Sequence, residues 1–281
     1  NFQVYNKQNQ TPETVAAVDE TKGQVLSYKG DIIETYYYST SYGHTGDYEA
    51  WNLDKDAYGY LQGVWVRSEE NSIDLSDEKS FLDYISNVDS ACYESDLKYF
   101  RWNTVLDFQG KDETLLHTIA DRKEHQPEAI SYYKDASKTE TTDSCSNFGS
   151  LQAINVVKRN QSGVILELEL DFQNGAVSVQ SEYNMRAILG CGITNINLLD
   201  GSSVEMSILP SAYISIQAKG DGTYAVLGGG YGHGIGMSQN GAQKLCGQGF
   251  DYKRILNYFY QDTELTELYQ PQNTTKEEGG A

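Results

Sequence analysis

The densest chemical signal in the sequence is GGGYGHGIGMSQNGAQ, Gly228 to Gln243, where one imidazole, His233, stands among glycines. Glycine lets backbone come close to a ligand and take positive φ. A helix is expected from about Met237, and its first turn offers free N–H donors and the positive end of a dipole. Imidazole can donate, accept or transfer a proton near neutral pH. The loop therefore suits a polar ligand or proton transfer, and a tight turn around a satisfied histidine explains the same residues equally well. The spacing Gly230, Gly232, Gly234, Gly236 is G-x-G-x-G-x-G. It matches neither GxxxxGK[ST] nor GxGxxG, and no lysine stands where a phosphate would need one, so a nucleotide is not expected. His233 has no partner at ligand spacing and the chain has no HExxH. Cys92, Cys145, Cys191 and Cys246 form no CxxC. No metal and no cofactor are expected. The four thiols fit one or two disulfides as well as four buried thiols.

A second candidate is Ser39-Thr40-Ser41-Tyr42-Gly43-His44, followed by Glu49 and Trp51. Hydroxyls, an imidazole and a carboxylate at a strand end could form a sugar-binding rim or an acid–base site. Hydroxyl-rich loops after strands are also common, and no GxSxG elbow supports a triad. A third is Glu182 to Arg186, four residues apart, which fits an ion pair on one helix face.

These residues need elements to hold them. Thr11 to Asp19 reads as a short helix, with Thr11 as N-cap and Pro12 first. Gln24–Tyr28 and Ile32–Ser39 read as strands joined through Lys29-Gly30-Asp31. The acidic, aperiodic stretch 54–96 reads as surface wrapping. A strand is expected at Phe100–Phe108 and a helix at Glu113–Glu124, carrying His117 and His125 on its surface. The stretch 128–150 reads as a loop or insertion. GVILELELDF, Gly163 to Phe172, alternates cleanly and predicts a half-buried strand, returned by Asn174-Gly175 through Ala176–Gln180. A short helix at Tyr183–Leu189, strands at Tyr213–Ala218 and Thr223–Leu227, and a last helix capped by Asp251 complete the pattern. Irregular alternation favours an α+β fold over a doubly wound sheet. Residues 270–281 read as a disordered tail. The net charge of −19 opposes a nucleic-acid surface. No run approaches the roughly 18 apolar residues of a membrane helix. Most of the 22 tyrosines read as half-buried strand residues.

Several segments together resemble a known family. YSTSYGHTGDYEAW is similar to its "STSGGxT…W" loop, KRNQSGVILELEL to its "RsxSGRv" strand and SEYNMRAIL to its "GEyxIRxxL" helix. LPSAYISI and GYGHGIGMSQNGAQ…GFDYKRILNYFYQDTEL resemble its closing segment. The family is that of stage II sporulation protein D and the amidase enhancer LytB. The resemblance covers residues 1–269, with insertions near 54–96 and 128–150.

It implies a glycan-binding cleft, an extracytoplasmic location facing the wall, and peptidoglycan glycan strands, stripped of peptide, as ligand. In the sporulation branch it implies a membrane-anchored lytic transglycosylase of forespore engulfment. That enzyme cleaves the MurNAc–GlcNAc bond to a 1,6-anhydro end with one glutamate as acid and base. The alternative is a non-catalytic wall-binding module or activator of an N-acetylmuramoyl-L-alanine amidase. The family's glutamate segment, its zinc ligands and any anchor belong upstream of NFQVYNK; the family's cysteine position falls on Phe2. The catalytic residue is thus expected outside this chain. The resemblance implies Ser39, Thr40, Ser41, Gly43, His44, Tyr231, His233, Ser238 and Gln239 as cleft residues. His233 and Glu49 would assist chemistry. Gly230, Gly232, Gly234, Gly236 and the Glu182–Arg186 pair would be structural. Tyr42, Asn240 and Asn160-Gln161 depart from the family pattern.

Overall fold

A computed structural model describes residues 9–69 and 71–268. Phe2 and the 270–281 tail lie outside the described residues. The fold is α+β, and the described residues divide into two compact units, 9–34 with 262–268, and 35–261.

In the first unit, α1 (Pro12–Glu20) starts where the sequence predicts. The Thr11 hydroxyl accepts from the Thr14 N–H, and the Thr14 hydroxyl accepts from the Thr11 N–H. Such reciprocal capping stabilises a helix by about 1 kcal/mol. Strand β1 (Gln24–Tyr28) turns through Lys29 and Gly30, both at positive φ, into β2 (Asp31–Ile32). The last strand, Glu264–Glu267, pairs antiparallel with the other edge of β1. The expected strand 32–39 is not continuous. It ends at Ile32, and β3 (Tyr37–Tyr38) belongs to the second unit and a different sheet.

In the second unit a 3-10 helix, Tyr48–Trp51, follows β3, then α2 (Lys55–Tyr58) and α3 (Glu78–Ile85). The 54–96 stretch is not surface wrapping: Leu61, Val66, Leu75 and Phe81 are fully buried. Its apolar residues follow no period because most of it is non-repetitive and α3 is only eight residues long. Next come β4 (Trp102–Asp107) and α4 (Asp112–His125). The 128–150 stretch is not loop throughout, for it begins with β5 (Ile130–Tyr133), an edge strand too short to show alternation. There follow β6 (Leu151–Arg159), β7 (Ile165–Phe172), β8 (Gly175–Val179), α5 (Glu182–Gly190), β9 (Ile196–Leu198) and β10 (Ser203–Val204). The unit closes with β11 (Ile214–Ala218), β12 (Thr223–Gly228), β13 (Met237–Ser238), α6 (Gln239–Gly247) and α7 (Tyr252–Phe259).

Two antiparallel sheets form the frame, in the orders β10-β9-β4-β12-β11 and β5-β8-β7-β6. One apolar core joins them: Leu106, Val226 and Ile214 from the first, Leu168, Leu170, Val177 and Val179 from the second. Leu115 and Ile119 of α4 and Ile188 and Leu189 of α5 complete it. The four cysteines are free, with Cys92 and Cys145 buried and Cys246 exposed.

Candidate functional site

The two loops singled out in the sequence are stitched to each other. Strand β13 pairs in parallel with β3, Met237 opposite Tyr37 and Ser238 opposite Tyr38. Thr40 and Tyr231 exchange both backbone hydrogen bonds, and the Gly46 N–H donates to the Gly234 carbonyl at 2.6 Å. This close weave is why the alternate glycines are needed. Gly230, Gly232, Gly234 and Gly236 have φ of 82°, 112°, 81° and 76°. A Cβ on Gly234 would run into the Tyr213 ring, and one on Gly236 into the Tyr36 carbonyl oxygen.

His233 is half-buried in this weave with both ring nitrogens in use. Nδ1 accepts the Ile235 N–H at 3.1 Å, so Nε2 carries the proton and donates to the Tyr37 carbonyl at 2.9 Å. Burial holds its pKa below the ordinary histidine value. It ties the glycine loop to β3 and leaves its ring between Tyr38 and Trp51, at 5.5 and 5.0 Å. His44 is buried, with Nδ1 2.6 Å from the Thr45 carbonyl and its ring edge-on to Trp65. Burial pushes its pKa down to about 4, so it is neutral. Thr40, Ser41, Gly43 and Ser238 are buried as well, Ser39 and Tyr231 half-buried, and Gln239 exposed.

Ser41 and Ser238 meet on Glu94, a residue that sequence reasoning missed. Its carboxylate accepts from the Ser41 N–H at 3.1 Å, from the Ser41 hydroxyl, and from the Ser238 hydroxyl at 2.7 Å. Ser238 is also the N-cap of α6, accepting from the Gly241 N–H. Glu94 is fully buried, and desolvation raises its pKa to about 7 despite the three donors. One carboxyl thus fastens the Ser39–His44 loop to the start of α6. Nothing in CYESD marks it from sequence, because its partners lie 53 and 144 residues away.

A second carboxylate cluster reaches solvent. Asp47 caps the 3-10 helix through the Glu49 N–H. The Asn160 side-chain amide donates to Asp47 at 2.9 and 2.8 Å and to Glu49 at 3.0 Å, and the Ser162 hydroxyl donates to Asp47 at 2.7 Å. Burial pushes the Asp47 pKa up, while Glu49 is exposed. The NQS turn before β7 is thus the clamp that places these two acids.

Glu49 opens on a groove. One hollow of about 280 Å³ is lined by Tyr48, Glu49, Asn52, Lys158, Gln180 and Ser181 among others. It shares Asn52, Gln180 and Ser181 with a second hollow of about 540 Å³, walled by Trp51, Gln126, Glu128, Glu182 and Tyr183. Two of the shared residues sit at positive φ without being glycine, Asn52 at 53° and Ser181 at 70°. Such backbone costs of order 1–3 kcal/mol and is held only where surroundings dictate it. Glu182 and Arg186 pair at 2.9 Å at the start of α5, and the Arg186 Nε–H donates to the Leu209 carbonyl. The groove is concave, with aromatic walls, amide side chains and carboxylates, the mixture that grips a polyhydroxylated ligand.

The class of protein follows from comparison with known sequences. A family model described as a domain of unknown function, DUF8618, matches residues 43–236. The chain belongs to that family. Among curated proteins it is similar to the amidase enhancer of Bacillus subtilis (strain 168), 26% identical over 279 residues, which covers 94% of this chain and 34% of that protein. It is also similar to stage II sporulation protein D of the same organism, 36% identical over 76 residues, 27% of this chain and 22% of that protein. The resemblance to the sporulation protein D and amidase enhancer group therefore holds along nearly the whole chain. The chain spans about a third of the length of the first relative and less than a quarter of the second. Among the described residues no helix is long and apolar enough to cross a membrane.

Proposed function

We propose that the 35–261 unit holds glycan strands of the cell wall, outside the cytoplasm, in wall remodelling linked to sporulation. The observation that carries this reading is the groove beside the two stitched loops. Trp51 and Tyr183 give flat apolar faces for sugar rings, and Asn52, Gln126 and Gln180 give paired donors and acceptors. Ser39–His44 and Tyr231–Gln239 then act mainly as the scaffold that presents Trp51 through His233. The names of the two relatives support the setting. A module that holds a peptide-bearing strand would present it to an amidase partner and raise its rate. The test is co-sedimentation with purified sacculi and with peptide-free glycan strands. Trp51→Ala should weaken retention on both at least tenfold, while leaving the unfolding midpoint within a few degrees. Retention unchanged by Trp51→Ala would remove the groove from the proposal.

A second reading is lytic transglycosylase activity, favoured by the Asp47–Asn160–Glu49 cluster at the groove edge. A single carboxyl there would protonate the leaving O4 as the C1–O4 bond breaks. It would then accept the proton of the muramyl O6 as that oxygen bonds to C1. Glu49, exposed to the groove, is the candidate for that role. Mass analysis of digested strands for 1,6-anhydro ends decides it. Glu49→Gln should abolish such ends, and their absence with the unaltered protein would leave a binder only.

A further inference from the structure

Taking the groove as the glycan site, we infer that it selects strands whose glucosamine carries a free amine rather than an acetamide. The carboxylates around the groove are not equally free. Glu182 is paired with Arg186, and Glu167 shares Lys138, at 3.4 Å, with Glu169, at 2.5 Å. Glu49 and Glu128 are exposed, and neither has an ion-pair partner among the described residues. The hydrogen-bond partner of the Glu49 carboxylate is the neutral amide of Asn160, which it shares with a second acid, Asp47. Among the described residues lining the two hollows, Lys158 is the one cation. Trp51 lines the same hollow as Glu128, and Glu49 lines the adjoining one; an aromatic face attracts a cation.

A carboxylate offers acceptors only. An acetamide offers a carboxylate at Glu49 or Glu128 one neutral N–H, and its carbonyl turned the same way would place oxygen against oxygen. A sugar ammonium brings three donors and a positive charge to the same point, and an amine of this kind is protonated below about pH 8. The chain's charge of −19 adds a field of the same sign.

The test measures binding of three hexasaccharides at pH 6 and low salt: the glucosamine hexamer, the N-acetylglucosamine hexamer and cellohexaose. Hexalysine supplies cations without sugar. The glucosamine hexamer should bind at least tenfold tighter than the other two sugars and tenfold tighter than hexalysine. The double variant Glu49→Gln/Glu128→Gln alters two exposed side chains, so it should fold normally by circular dichroism and lose most of that advantage. Trp51→Ala should weaken all three sugars together. The inference is overturned if the acetylated hexamer binds equally or better, if hexalysine matches the glucosamine hexamer, or if the double variant keeps the preference. In those cases retention on sacculi would still uphold the glycan site. If no hexamer binds and sacculi are not retained, both fall.

Discussion

Glu94 and His44 sit one loop apart, both buried, and their ionisation pulls stability in opposite directions with pH. Glu94 is raised from 4.5 to about 7. Its contribution is fully present below pH 4.5 and is lost as pH rises through 7. His44 is lowered from 6.5 to about 4, so its contribution is present above pH 6.5 and is lost as pH falls through 4. Each shift corresponds to roughly 3 kcal/mol. Between pH 4.5 and 6.5 the two slopes oppose, and Asp47, also raised, adds to the Glu94 side. Urea unfolding across pH 4–7.5 should therefore give a shallow profile. Glu94→Gln should uncover the histidine slope, with stability falling on acidification from 6.5. His44→Gln should tilt the profile the other way. A Glu94→Gln protein as flat as the parent would refute this balance. Of these residues the sequence displays His44 as a candidate and conceals Glu94. A histidine in a hydroxyl-rich loop is noticeable by type. A glutamate in an acidic stretch becomes notable only when distant serines converge on it.

Among elements, the glycine loop separates conformational demand from steric demand. Gly236 and Gly220 have nearly the same φ, 76° and 80°. Around Gly220 nothing lies within 4 Å of an added Cβ, whereas at Gly236 it meets the Tyr36 carbonyl, a backbone atom that cannot rotate away. Gly220→Ala should cost about 1–2 kcal/mol, the left-handed penalty alone. Gly236→Ala should cost about 2–5 kcal/mol, because overpacking is added. Equal losses in chemical denaturation would show that the weave yields. The spacing G-x-G-x-G-x-G already implied positive φ at alternate residues. What it could not contain was the parallel pairing of β13 with β3, two residues long and 200 positions apart. Helices were legible from the cap and Pro12 at α1, and from cap and period together at α7, where Asp251 precedes Tyr252, Ile255, Leu256 and Phe259. The β7–β8 hairpin was legible through its alternation and Asn174-Gly175. The interior of 54–96 was not, since irregular chain buries side chains without a repeat.

Over the whole molecule, the groove illustrates what folding adds to sequence. Its walls come from 48–53, 126–129, Lys158, 166–167 and 180–183, and no local pattern links them. Trp51, Glu49 and Glu182 were each visible as candidates, yet their shared surface was not. Cysteine use was likewise open from spacing alone, because pairing depends on distance in space. Four free thiols make a count: Ellman's reagent should find one fast group in the native protein, Cys246, and four after denaturation. A count of two or fewer in denaturant would mean that a disulfide forms.

The pairing of β1 with the Glu264–Glu267 strand sets how the molecule would answer to tension. Gln24 faces Glu267, and the Leu268 N–H donates to the Gly23 carbonyl at 2.8 Å. A pull applied at residues 9 and 268 meets this ladder from one end, so its hydrogen bonds are loaded singly, in zipper fashion, rather than sheared together. The zipper opens at low force. Until it does, residues 35–261, which follow β1 and precede the Glu264–Glu267 strand along the chain, lie outside the path that bears the load.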